Sequence, residues 1–181
     1  MNLYLRLLWT WLCARAKPAI LLGDTIEFNC ACSRATWING RMNNGRYITI
    51  TDLALVEYLT CASFLPVALR NGWRPMLGGS IISFRRDLKP FVGYTLTFSM
   101  QFLDERWTYF CLEFEHTGQK KVRGLTHGGV VGSHGIVSSV EARRTVEMDA
   151  VSRAYSVIEK RFRAAIADLF LCQKSMKEKL S

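Results

Sequence analysis

The stretch that decides the fold begins Asn39-Gly40-Arg41-Met42-Asn43-Asn44-Gly45-Arg46-Tyr47 and continues to Leu65, with no Gly or Pro after Gly45. Its second half predicts a long helix that carries apolar residues on nearly every side. Such a helix is enclosed by other structure, so we expect it at the centre of the domain. Its polar start leaves main-chain N–H groups without helical partners, which favours binding of an anion or a carbonyl oxygen. We therefore expect the chemistry of the protein at this helix start.

Extended segments are predicted on both sides of this helix in the sequence. The clearest is Tyr94–Phe102, where apolar and polar residues alternate without exception. Asp104-Glu105 is predicted to close a tight turn after it, and the last strand is predicted to dissolve into the glycines between Gly128 and Gly135. The predicted strands are Thr25–Cys32, Met76–Leu88, Tyr94–Phe102, Trp107–Phe114 and Gln119–Val131. A single helix against a long antiparallel sheet is an α+β arrangement.

The region from Ser138 to Ser181 contains no Gly or Pro and is predicted to be helical. Ser138 and Glu141 fit a capping box, and apolar residues recur at steps of three and four from Val151 to Met176. This pattern is typical of a coiled-coil arm or of a helix packed along the domain, and its basic residues also permit a role at a membrane. The predicted division is 1–22 as an N-terminal amphipathic segment, 23–137 as the main domain and 138–181 as a helical extension.

The N-terminal segment has too few consecutive apolar residues to cross a bilayer, and cations occupy the site where a signal peptide would be cleaved. Leu5, Leu8, Trp9 and Leu12 share one face of a helix. Two interpretations stay open. The helix packs on the domain, or it lies in a membrane interface with Trp9 and Trp11 at the level of the lipid head groups.

Composition limits the partners of the protein. Lys and Arg total 24 against 15 Asp and Glu, a net charge of +9, which suits an anionic partner such as a membrane surface or coenzyme A. The cations form no block of five or six, which disfavours nucleic-acid binding. The six cysteines form no C-x-x-C pair and the three histidines are scattered, so neither a metal site nor a cofactor is predicted.

Several motifs resemble the bacterial acyl-CoA thioesterase-like proteins of the hotdog superfamily, relatives of the hydroxybenzoyl-CoA thioesterases. They are the run Ile38–Tyr47 with its Met-Asn-Asn-Gly-Arg-Tyr element, Thr51-Asp52-Leu53, Gly72-Trp73-Arg74-Pro75 and Phe84–Phe91. The resemblance extends from about Asn2 to Val140. It implies the hotdog fold, in which a long central helix is wrapped by a curved antiparallel sheet, here with an added C-terminal helix.

The resemblance also implies dimers, or a higher even oligomer, joined into a continuous sheet, with thioester sites at the dimer interface. The main-chain N–H of Asn44 or Gly45 at the helix start is implied to polarise the thioester carbonyl. The family pattern places two acidic residues and a His just upstream, whereas this chain has Ala35, Trp37 and Arg41 there. Tryptophan can neither accept a proton nor attack a carbonyl, so the usual upstream carboxylate is missing.

Asp52 and Glu57 are the acidic residues of the central helix. Five residues at about 100° each place them roughly 140° apart, so both cannot face one site. Some hotdog enzymes use a carboxylate from inside this helix, often across the dimer, and Asp52 is the candidate base. The alternative is a structural carboxylate that is hydrogen-bonded to the main chain or to an Arg. Glu57 is predicted to be an exposed or paired charge.

Candidate ligand-binding residues surround the helix start. Arg41 and Arg46 could bind an anionic ligand or pair with acids such as Asp52, and Asn43 and Asn44 are also suited to capping the helix. The other candidates are Trp37 and Tyr47 for the substrate, and Arg85, Arg86 and Lys89 for the phosphates of coenzyme A. The leading hypothesis is a cytoplasmic acyl-CoA thioesterase. Its alternative is a degenerate hotdog domain that binds acyl thioesters or acts as a membrane-associated interaction scaffold.

Overall fold

The computed structural model describes residues 3–31, 37–38, 41–89, 91–153 and 156. The chain divides into two compact units, Met1–Arg143 and Arg144–Ser181. The predicted heptad stripe from Val151 to Met176 lies almost entirely outside the described residues, so the interpretations attached to it stay predictions.

The predicted order of a strand, the central helix, extended segments and a further helix is present, together with short helices and strands that were not predicted. The helices are α1 (Leu3–Ala14), α2 (Asn44–Cys61), α3 (Phe64–Arg70) and α4 (139–153). The strands are β1 (Thr25–Ala31), β2 (Trp37–Ile38), β3 (Arg41–Met42), β4 (Arg74–Phe84), β5 (Gly93–Leu103), β6 (Thr108–His116), β7 (Gln119–Gly132) and β8 (Gly135–Val137).

An antiparallel sheet with the strand order β1-β5-β6-β7-β4 forms the body of the first unit, and β8 pairs with β7. The buried apolar residues of β5 and β6 point to one face, where Phe98 and Phe110 stack at 5.1 Å between ring centroids. Tyr58 of α2 packs edge-on against both rings, at 5.8 and 5.6 Å. The helix therefore lies on the apolar face of a curved sheet, as predicted.

The central helix is shorter than the sequence pattern predicts. The expected helix runs to Leu65, but α2 ends at Cys61, and Ser63 adopts a left-handed φ of 58°. This conformation is uncommon for a residue with a Cβ, and it turns the chain by 80° into α3. Pro66 then lies in the first turn of α3, where its missing N–H costs no helical hydrogen bond.

Two turns differ in detail from the prediction. After β5 the chain turns over residues 104–107, because the Asp104 carboxylate accepts hydrogen bonds from the N–H groups of Arg106 and Trp107 at 2.7 and 2.6 Å. The end of β7 does not dissolve at its glycines. It continues to Gly132 and returns as β8 through a turn in which Gly135 has a φ of 116°. Gly129 leaves room for the ring of Trp107, since a Cβ there would lie 3.0 Å from it.

The N-terminal helix α1 lies against α2. Thr10 and Ala14 are its buried residues within the range 4–14, and the Ala14 carbonyl accepts a hydrogen bond from the Cys61 thiol at 3.7 Å. The helix therefore packs on the domain, but it does so through Thr10 and Ala14, and the predicted apolar face of Leu5, Leu8, Trp9 and Leu12 is exposed. In the described part no single helix is long and apolar enough to cross a membrane, although α2 and α3 together meet that test as a bent pair.

Candidate functional site

The start of α2 is exposed and capped by its own sequence. Asn43 has φ −62° and ψ 136°, and its side-chain Oδ1 accepts a hydrogen bond from the Gly45 N–H at 2.9 Å. The Arg46 N–H donates to the Asn43 carbonyl at 2.8 Å. Capping by Asn43 is thus confirmed. Of the two predicted oxyanion donors, Gly45 already has a partner, whereas the Asn44 N–H has none within the described residues.

The Tyr47 ring anchors this helix start to the sheet. It is only 2% exposed and contacts the rings of Phe84 and Phe114 at 5.2 and 5.0 Å. The ring therefore belongs to the core, and a contact between Tyr47 and substrate stays a prediction. The contact with Phe84 has a further consequence. It places the last residue of β4 beside the first turn of α2, and the basic residues Arg85 and Arg86 follow directly.

The structure brings the basic residues at the start of α2, Arg41 and Arg46, near a second basic group after β4, which consists of Arg85, Arg86 and Lys89. Arg41, just before the helix, forms an ion pair with Asp87 at 3.4 Å between Nε and Oδ2, rather than with Asp52. This pair ties β3 to the segment that carries the second basic group. Arg86 donates a hydrogen bond to Gln119 at 3.0 Å. The side chains of Arg46, Arg85 and Lys89 have no hydrogen-bond or ion-pair partner in the part of the chain that is described.

Asp52 is half-buried on α2 and has no hydrogen-bond or ion-pair partner among the described residues. The predicted alternative, a structural carboxylate bonded to the main chain or to an Arg, is therefore not observed in this part of the chain. Burial raises the pKa of Asp52, because partial removal from water disfavours its charged form. A partly desolvated carboxylate without a partner is a suitable proton acceptor for water.

Glu57 has a different environment on the same helix. Its side chain is 5% exposed, and its Oε1 lies 2.6 Å from Nζ of Lys17. The prediction of a paired charge is confirmed, and the burial shows that this pairing is structural. Glu57 and burial together also raise the pKa of the nearby Cys61 thiol, with burial the larger cause.

An apolar cavity of about 50 Å³ lies toward the other end of α2. Leu55 and Leu59 line it, and these residues follow Asp52 by three and seven positions, which places all three on one side of the helix. This cavity was not predicted from the sequence. The repeated spacing from Asp52 was its only signal. The other lining residues are Leu22, Phe64, Pro75, Met76, Met100, Leu103, Thr108, Phe110, Gly128, Gly129, Val130, Ser139, Ala142 and Arg143.

Asn44 and Asp52 do not meet within one chain. Eight residues of helix separate them by about 12 Å along the axis and roughly 80° around it. A carbonyl bound at the Asn44 N–H is therefore beyond the reach of the Asp52 carboxylate of the same copy.

Trp37 pairs with Met42 between β2 and β3, and its side chain is not among those that the structure describes. No three His, Cys, Asp or Glu side chains in the described ranges come together as metal ligands.

Solved structures with a similar fold include several thioesterases. A probable thioesterase from Escherichia coli aligns with a TM-score of 0.62 at 16% identity, over 67% of this chain and 96% of that chain. A 1,4-dihydroxy-2-naphthoyl-CoA thioesterase from Synechocystis aligns with a TM-score of 0.59 at 12% identity, over 70% and 97%. A Staphylococcus aureus protein in complex with CoA aligns with a TM-score of 0.58 at 12% identity, over 72% and 85%.

These alignments agree with the curved sheet and the central helix described above, and they confirm the predicted hotdog fold. No curated protein sequence matches the chain. The sequence model of the thioesterase-like superfamily matches residues 33–162, which include the capped helix start, Asp52 and the whole sheet from β4 to β8. The chain therefore belongs to the thioesterase-like superfamily.

Proposed function

We propose that this protein hydrolyses an acyl thioester of coenzyme A. The observation that carries the proposal is Asp52, a half-buried carboxylate without a partner in the described residues, on the central helix of a thioesterase-like chain. Water attacks the thioester carbonyl while Asp52 takes up the proton of that water. The carbon–sulfur bond then breaks, and the thiolate of coenzyme A leaves and is protonated. The products are a carboxylic acid and a free thiol.

The Asn44 N–H is the proposed donor to the carbonyl oxygen, which gains negative charge as water attacks. Its exposure at the first turn of α2 and its lack of a partner in the described chain support this role. A well-aimed donor of this kind contributes about 3 to 4 kcal/mol to transition-state stabilisation. Because Asn44 and Asp52 of one copy are too far apart, the proposed site combines Asn44 of one copy with Asp52 of a second. This combination requires a dimer, which the hotdog resemblance implies.

The basic residues near the helix start are the proposed contacts for the phosphates of coenzyme A. The ion pair between Arg41 and Asp87 and the ring contact between Tyr47 and Phe84 draw both basic groups to one region, which supports this assignment. Arg46, Arg85 and Lys89 are the strongest candidates, since their side chains have no partner in the described chain. Guanidinium groups suit phosphate oxygens because they donate two parallel hydrogen bonds.

The reaction is tested by measuring the release of free thiol from a panel of short, medium, long and aromatic acyl-CoA substrates. We expect Asp52→Asn to lower kcat/KM by about 100-fold or more, the usual loss for a general base. Glu27→Gln on β1 is the control, because it removes an exposed carboxylate far from the site in sequence and leaves activity unchanged. Activity should rise with pH through the raised pKa of Asp52, since only the ionised form accepts a proton. Absence of turnover with every substrate would refute hydrolysis.

The Asn44 donor can be removed without changing the helix. Asn44 is the first residue of α2, where proline is well tolerated, and the φ and ψ of Asn43 suit a residue that precedes proline. Asn44→Pro deletes the N–H, whereas Asn44→Ala keeps it and removes only the side chain. We expect Asn44→Pro to lower kcat by about 100-fold and Asn44→Ala to retain most activity. Equal losses in both variants would argue against the main-chain donor.

Mixing the two inactive variants tests whether the site spans two copies. In a mixed dimer of Asn44→Pro and Asp52→Asn, one of the two sites has both native groups. Random mixing should therefore restore roughly a quarter of the native activity. No recovery, with exchange of subunits verified, would contradict the two-copy arrangement.

A second candidate function is binding of acyl thioesters without efficient cleavage. Ala35, Trp37 and Arg41 favour it, because they replace the upstream acidic residues and the His of the family pattern. Under this function Asp52→Asn leaves any slow hydrolysis unchanged, while a fluorescent acyl-CoA analogue still binds. The same set of variants therefore separates the two functions.

A further inference from the structure

Helix α1 is held on the domain by one side only. Ala14 and Thr10 are buried, and Lys17, just beyond the helix, reaches the buried carboxylate of Glu57 at 2.6 Å. These contacts fix the orientation of the helix on α2. The other sides of α1 consequently face outward, and the helix is not free to rotate on the domain.

The outward side of α1 is apolar. Leu5, Leu8, Trp9 and Leu12 recur at helical spacing, and all four are exposed, with Trp9 67% exposed. An amphipathic helix on a protein surface normally buries its apolar stripe and exposes its polar one. Here the apolar stripe faces away from the domain. A contiguous apolar surface of this kind marks a binding site for another apolar surface.

The charges around this stripe favour an anionic occupant. Residues 1–23 contain Arg6, Arg15 and Lys17 and no Asp or Glu, and the charge of Lys17 is balanced by Glu57, so Arg6 and Arg15 are the cations beside the stripe. Arg15 is exposed and lies 5.0 Å from the ring centre of Trp11, so a cation is held beside an aromatic ring. Trp is enriched where hydrocarbon meets lipid head groups, and Lys and Arg are attracted to the acidic lipids of that surface.

The apolar surface continues beyond α1 itself. A groove beside the helix is lined by Trp11, Arg15 and Ala19 and, on α3, by Pro66 and the exposed Leu69. A symmetric contact between two copies through this surface would bring acid-free, cationic helices together, and their charges would repel. A lipid surface with negative head groups has the complementary charge.

We propose that α1 binds the surface of an anionic lipid bilayer, with Leu5, Leu8, Trp9 and Leu12 inserted among the lipid chains and Arg6 and Arg15 at the phosphate level. The protein lies on such a membrane and does not cross it with this helix, which is 12 residues long. The inference does not depend on the proposed hydrolysis, because the helix and its charges are present whatever the chemistry at Asn44 and Asp52.

Flotation of the full-length protein with lipid vesicles tests the proposal. We expect binding to vesicles that contain about one third phosphatidylglycerol, and at least ten-fold weaker binding to pure phosphatidylcholine. Raising the salt from about 0.1 M to about 0.5 M should weaken binding, since it shortens the range of the charge attraction. Equal binding to both kinds of vesicle, or to neither, would overturn the proposal.

Three double variants, one of them a control, locate the contact. Leu8→Ser with Trp9→Ser removes half of the apolar stripe, and we expect it to lower vesicle binding at least ten-fold. Ile81→Ser with Ile136→Ser is the matched control, because these residues are also exposed and apolar but lie on the sheet. Arg6→Gln with Arg15→Gln should lower binding to anionic vesicles alone. Thermal unfolding verifies that each variant is folded. The assignment would be contradicted if the Leu8 and Trp9 variant bound vesicles like the native protein. It would also be contradicted if the variant lost binding together with a change in its oligomeric state.

Discussion

The two ends of helix α2 have opposite character. Toward its end, Tyr58 is fully buried against Phe98 and Phe110, its hydroxyl accepts a hydrogen bond from the Gly23 N–H at 2.9 Å, and Glu57 is paired with Lys17. At its start Asn44 is exposed with an N–H that has no partner in the described chain, and Asp52, two turns on, is a carboxylate without one. Stability is concentrated where groups are satisfied, and chemistry is expected where they are not.

The largest expected effect on stability is toward the end of α2, where the side chains are buried and paired. Phe98→Ala removes a fully buried ring from the contact with Tyr58 and Phe110, and we expect it to lower the free energy of unfolding by about 4 kcal/mol. Phe102→Ala on the same strand removes a ring that is 53% exposed, and it should cost about 1 kcal/mol. Urea unfolding measures both. Equal costs would show that burial on this face does not set the stability.

Breaking the ion pair should have the next largest effect. Lys17→Met leaves the carboxylate of Glu57 buried without its partner, and we expect a loss of about 2 kcal/mol, since Lys17 itself is partly exposed to water. Adding Glu57→Gln removes the unpaired charge and should restore part of the loss. A double variant that is as unstable as the sum of the two single variants would indicate that the groups are not coupled.

Removing the cap should have a smaller effect on stability, at the start of the helix. Asn43→Ala deprives the Gly45 N–H of its acceptor, and we expect a loss of about 1 kcal/mol in thermal unfolding. Asn43→Asp keeps an acceptor oxygen and places a negative charge at the helix start, so its stability should match or exceed that of the native chain. A neutral effect of Asn43→Ala would contradict the capping role.

Asp52→Asn should have the smallest effect, and one of opposite sign. Burial holds the pKa of Asp52 above its unfolded value, so the native state binds the proton more tightly and stability declines as the pH rises through the interval up to the raised pKa. At neutral pH the variant should therefore be more stable, by less than about 1 kcal/mol because the group is partly in water. The difference should vanish in acid, as unfolding curves across pH can show. A loss of stability at neutral pH would point to a structural carboxylate.

Sequence patterns predict the parts of this fold that depend on local periodicity. Alternation predicts β5 because one face of the sheet is buried at Tyr94, Leu96 and Phe98, and the polar loop before Tyr47 marks the helix start. The pattern fails at Phe102, which follows a register shift in the strand pairing and is exposed. The break at Ser63 has no such signal. The surrounding structure holds this serine at a positive φ, and a serine side chain does not predict that conformation.

The candidate site is only partly predictable, for a related reason. Asn43 and Asn44 are recognisable from the polar start of the helix, and Asp52 from being an acidic residue inside it. The pairing of Arg41 with Asp87 depends on how β3 meets the segment after β4, which spacing does not reveal. That Asp52 has no partner in the described chain depends likewise on how the surrounding side chains pack. Both are properties of the packed chain.

The order of the strands in the sheet also carries a consequence for folding kinetics. β5, β6 and β7 are joined by short turns, so they can form as a local meander before distant parts of the chain arrive. β1 pairs with β5, with Thr25 opposite Ser99, and its pairing must wait until the helical region between them has collapsed. We therefore expect the β1 edge to be acquired late, and hydrogen exchange during refolding should protect its amides last.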